Sequence, residues 1–68
     1  MSIENIGQNA GKVWQSLHEN GAMNVSALGK STGLDDKNLY LALGWLAREG
    51  NVTFAQVLRQ IIVSLVQK

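Results

Sequence analysis

The chain has no cysteine, no proline and a single histidine, His18. Without cysteine there are no disulfides and no thiolate metal sites, and one imidazole builds no ligand cluster. Charge is scarce as well. Asp, Glu, Lys and Arg make up 16% of the 68 residues, against roughly 25% in ordinary globular chains. Six basic and five acidic residues leave a net charge of +1. The pI of 8.2 lies below the value of about 9 that marks dedicated nucleic-acid-binding domains. The most apolar stretch, residues 57–66, carries Arg59 and Gln60 and is about half the ~20 residues of a membrane-spanning helix. No basic segment followed by an apolar run opens the chain, so no secretory leader is expected. These absences point to a cytoplasmic protein that touches no membrane and takes no cofactor.

What is present is apolar: 46% of the residues, enough for a folded core. A chain of this length holds one domain and buries only about 60% of its unfolded surface. With no disulfide or metal to reinforce it, such a domain needs tight packing or a second subunit.

Glycines divide the sequence. Ser2 is positioned to cap a first helix. Its apolar face follows as Ile3, Ile6, Ala10, Val13, Trp14 and Leu17, at spacings of 3.6-residue periodicity. Glu4 in its first turn and His18 in its last suit the helix dipole, and Asn20-Gly21 supplies the stop. Gly7 and Gly11 border the face, as expected where a neighbouring backbone comes close. Residues 22–25 fit a short extended piece. Ser26 reads as the cap of a second helix carrying Ala27, Leu28 and Thr32 and ending at Gly33. Asp35 caps a third helix, with Leu34 just outside it and Asp36 at its positive end. That helix buries Leu39, Ala42, Leu43 and Leu46 and runs to Glu49 before Gly50.

The C-terminal segment supports two readings. Residues 52–54 and 61–65 are strand-like and β-branched, giving a hairpin with residues 55–60 as its loop. Phe54, Leu58, Ile61, Ile62 and Leu65 also fall at helical spacing, although the Ile61-Ile62-Val63 run favours the hairpin. The expected core adds Phe54, Val63 and Leu65 to the helix faces. The order is thus helix, short strand, two helices joined by a Gly-bearing turn, and a hairpin. This is an α+β chain, mainly helical, with the arrangement of a winged helix-turn-helix: a three-helix core and a C-terminal wing.

Two strings carry a resemblance: Ile6-Gly7-Gln8-Asn9-Ala10-Gly11-Lys12-Val13-Trp14 and Leu39-Tyr40-Leu41-Ala42-Leu43-Gly44-Trp45-Leu46-Ala47-Arg48-Glu49-Gly50. The chain resembles, over nearly its whole length, a family of small prokaryotic winged helix-turn-helix proteins catalogued as a domain of unknown function. The resemblance implies a winged fold and a link to DNA. The chain departs from that family in its wing, where Gln56-Val57-Leu58-Arg59-Gln60 replaces an acidic or glycine-containing turn.

Opposite the core face of the third helix, the 100° rotation per residue places Lys37, Leu41, Gly44 and Arg48 together. Tyr40 flanks them on one side, Asn38 and Trp45 on the other. As a DNA-reading face, Lys37 and Arg48 would meet phosphate or guanine, Asn38 an adenine edge, and Gly44 would allow close approach. Lys30, Lys37, Arg48 and Arg59 are the candidate phosphate partners, and four such contacts give a log–log salt slope of about −3.6. That is modest for a specific binder, and Asp35 and Asp36 repel phosphate at the end that enters the groove. Weak or dimeric DNA binding is the resulting expectation. The same side supports a different class of function. Tyr40, Leu41 and Trp45 would form an apolar interface for a protein partner or a second copy, whereas the bland reading places Trp45 in the core.

Catalysis lacks an inventory. His18 has no nucleophile at a defined spacing, and no serine has a His–Asp context. The Asp35-Asp36 pair falls far short of the ~6 oxygens of a calcium or magnesium site. None of the seven glycines forms a phosphate-cradling loop after a strand.

Overall fold

The computed structural model describes residues 3–66. The predicted Ser2 cap lies outside them, and so do the side chains of Ile3 and Glu4. Six elements follow in order: α1 (Ile3–Asn20), β1 (Met23–Asn24), α2 (Val25–Thr32), α3 (Asp36–Arg48), β2 (Val52–Val57) and β3 (Gln60–Leu65). The three strands form one antiparallel sheet in the order β1-β3-β2. Three helices and a hairpin in this order make a winged helix-turn-helix.

The helix ends follow from local chemistry. Gly21, at φ 79°, closes α1 by donating its N–H to the Leu17 carbonyl at 2.8 Å. Gly33, at φ 73°, closes α2 in the same way. Asp35 caps α3 as expected, its carboxylate accepting from the Asn38 N–H at 3.0 Å. The cap of α2 is Asn24 rather than the predicted Ser26. Asn24 pairs with Ile62 through its backbone while its side chain accepts the Ala27 N–H at 2.7 Å. One residue thus ends a strand and starts a helix.

The core joins Ala10, Val13 and Leu17 of α1 to Leu28, the four predicted α3 residues, Val52 and Val63. Leu65 and Trp45 pack at its margin, and Ile6 is half-buried. Two expected core residues are exposed instead. Trp14 is 39% exposed and stacks on His18, ring centroids 4.8 Å apart. Its place on α1 is taken by the other flank of the stripe, where Ser16 is buried. The Ser16 hydroxyl lies 2.7 Å from that of Ser31, so α2 docks on that flank through a polar contact. Phe54 faces the same side of the sheet as Val63, its register partner. It sits on the outer strand, however, and covers Val63 from one side only, leaving itself 48% exposed. Gly7 and Gly11 have no neighbour within 4 Å of a Cβ position, so no backbone approaches them and the expected close contact is absent.

The hairpin is present, and its loop is shorter than expected. Pairing continues to Val57↔Gln60, leaving a two-residue turn of Leu58 and Arg59. Such turns need a positive φ, normally supplied by Gly, Asn or Asp. Here Leu58 adopts φ 57° while 91% exposed. A left-handed conformation costs a branched side chain about 1–2 kcal/mol, and nothing buries this one in return. Leu58→Asn, which tolerates that conformation, is expected to raise stability by about 1 kcal/mol, or roughly 5 °C in Tm. A thermal melt checks this. An unchanged or lower Tm contradicts the strain.

Candidate nucleic-acid interface

The core stripe of α3 fixes what the helix shows outside. With Leu39, Ala42, Leu43 and Leu46 buried, Lys37, Tyr40, Gly44, Ala47 and Arg48 are exposed. Tyr40 is the exposed large hydrophobic residue of this face, at 56% exposure. Gly44 lies mid-face with open space around it. Asn38 and Leu41 are half-buried, and Trp45 is half-buried against the core. Lys37 to Arg48 spans about 16 Å along the axis at 1.5 Å per residue. A helix with such a polar, partly open face has the dimensions to enter a major groove about 12 Å wide.

A groove of about 520 Å³ opens beside the N-terminal half of α3. Lys30 of α2, Asp36 and Tyr40 of α3, and Arg59 and Ile61 of the hairpin line it. Three of the predicted site residues, Lys30, Tyr40 and Arg59, thus come from three elements to one place. The turn at Leu58-Arg59 brings the wing tip there, and Asn24 helps hold it: its side-chain N–H donates to the Gln60 side-chain oxygen at 3.5 Å. The two cations give the groove positive charge, and the Asp36 carboxylate on the same wall reduces it. Arg48 sits two turns further along α3 and does not line the groove.

Asn24, Ser26 and Gln60 also line the groove, and none of them is apparent as a site residue in the sequence. Asn24 and Gln60 are 36 residues apart, and only the β1–β3 pairing makes them neighbours. The predicted apolar trio is not a continuous exposed patch, since only Tyr40 stands clear of the surface. Among the described residues, no three or more His, Cys, Asp or Glu side chains are grouped to hold a metal. No described helix is long and apolar enough to cross a membrane.

Residues 1–65 match the family model described as winged helix-turn-helix domain (DUF2582). No curated protein matches the chain. The solution NMR structure of protein BT2368 from Bacteroides thetaiotaomicron is similar to it, with a TM-score of 0.86 at 34% identity. The match covers 96% of this chain and 79% of that one.

Proposed function

Because the chain belongs to the winged helix-turn-helix domain family DUF2582, we propose that it binds duplex DNA as a transcription-associated module of the cytoplasm. In this reading α3 enters the major groove. The fold commonly serves this purpose, but a fold does not by itself fix a function, so the residues must carry the case. The observation that carries it is the convergence of Lys30, Tyr40 and Arg59 on one groove beside the exposed face of α3. Lys37 and Arg48 extend the basic positions along that face. Lys30 and Arg59 stand where a sugar-phosphate strand would pass between wing and helix, and Tyr40 can donate its hydroxyl to it. Asn38 offers a side-chain amide to an adenine edge, and Gly44 admits close approach. Asp35 and Asp36 lower affinity at the helix entrance, and the small net charge keeps non-specific binding weak.

The test is chemical-shift mapping of the labelled chain on addition of random duplex DNA at low salt. Shifts are expected at Lys37, Tyr40, Gly44 and Arg48 and at the wing tip, residues 58–61. Shifts confined to α1, or none at all, would sink the reading. The other reading, a protein-interaction surface made by Tyr40, Leu41 and Trp45 without DNA contact, is supported by the exposure of Tyr40 alone.

A further inference from the structure

We propose that a second copy of this chain pairs with the free edge of β2, antiparallel, so that two three-stranded sheets join into one of six strands. Every sheet edge carries unpaired N–H and C=O groups. Soluble proteins guard such edges with charge, proline, a bulge, a short strand or a covering element. β1, at one edge, is two residues long and leads directly into α2. β2, at the other, has none of these guards. Its sequence, Val52-Thr53-Phe54-Ala55-Gln56-Val57, contains no charged residue and no proline. All six residues pair one-to-one with β3, so there is no bulge. Residues 53–57 are exposed, so nothing among the described residues covers them.

Three features favour a copy of the same chain as the occupant. A two-fold axis perpendicular to the sheet, running midway between the two paired β2 strands, sets them antiparallel. It keeps both helical layers on one face, placing Phe54 and Gln56 beside the same residues of the partner. No charge then meets its like. Arg59 is the only charged residue of the hairpin, and the antiparallel arrangement carries the two copies to opposite ends, about 30 Å apart and beyond the Debye length. The surface area agrees. The chain exposes 4695 Å², about 500 Å² more than the scaling for a 7.4 kDa monomer. Two copies burying that excess reach about 1000 Å², the lower bound for a biological interface. Four of the six exposed large hydrophobic residues among those described, Phe54, Val57, Leu58 and Ile61, lie on the hairpin and are 45–91% exposed. The wing tip, residues 58–61, is shared with the proposed DNA surface, but the outer edge of β2 is not, so protection confined to β2 distinguishes self-association from DNA binding.

The experiment is sedimentation equilibrium of the full chain up to about 1 mM, with amide hydrogen exchange at low and high concentration. The mass is expected to rise from 7.4 kDa toward twice that value. Protection is expected to grow with concentration at alternate amides of β2. Phe54→Lys, and separately Ala55→Lys on the opposite face, are expected to weaken association about tenfold or more with the far-UV spectrum unchanged. If either variant fails to fold, the other and the exchange pattern still decide. A monomer at 1 mM overturns the proposal and leaves the edge to another chain. So does protection that grows on α3 instead of β2, or folded variants that associate as the native chain does.

Discussion

Leu28→Ala lowers the melting temperature by about 15 °C or more and removes about half of the folding free energy. The expectation rests on how α2 is held. The helix has eight residues, too few to persist alone in water, and Leu28 is its one buried residue, with no exposed surface. Deleting a fully buried leucine costs about 2–5 kcal/mol, because the lost transfer energy is joined by a cavity. A 68-residue chain has only about 3–10 kcal/mol to lose, and each kcal/mol at this size is worth roughly 4–8 °C. The Ser16–Ser31 hydroxyl contact and the Asn24 cap remain, but neither replaces the apolar anchor. Calorimetry or a far-UV melt measures the effect. A shift under about 5 °C would show that α2 is fixed by something other than Leu28.

Replacing Lys30 and Arg59 together by Ala is expected to weaken duplex binding about 60-fold at 0.1 M salt and to halve the salt dependence. Four phosphate contacts give a slope of about −3.6, and losing two leaves about −1.8. The affinity change follows from the counterions no longer released, extrapolated between 0.1 and 1 M salt. Both side chains are exposed and neither packs in the core, so the double variant keeps its fold. An anisotropy titration at several salt concentrations reads both numbers. An unchanged slope would mean that the groove between α2 and the wing does not meet the phosphate backbone.

The parts legible in the sequence are those governed by nearest neighbours. Asp35 as a cap, Gly33 and Gly50 as stops and the Leu39-Ala42-Leu43-Leu46 stripe all follow from spacing within one helix, and all are found in the structure. The family resemblance and the winged architecture hold for the same reason, since the order of elements is written along the chain. The departures arise where two elements compete for one residue. Ser26 is a good cap in isolation, but Asn24 is held in β1 by β3 and reaches the helix end first. Trp14 belongs to an apolar stripe whose centre shifts once Ser16 turns toward Ser31. Phe54 alternates correctly yet lies on an outer strand. The two-residue turn is hidden because Leu58 is a residue that such turns rarely use. The candidate site is legible as single residues and not as a place. Lys30, Tyr40 and Arg59 lie far apart in sequence, and it takes the hairpin turn to bring the third beside the first two.

The central claim is that α3 and the wing tip form one DNA-binding surface. Its most direct test is the affinity of the native chain for random duplex DNA between 50 and 200 mM salt. Four phosphate contacts predict binding that weakens about 150-fold over that range. No detectable binding at 50 mM, or binding indifferent to salt, would contradict the claim.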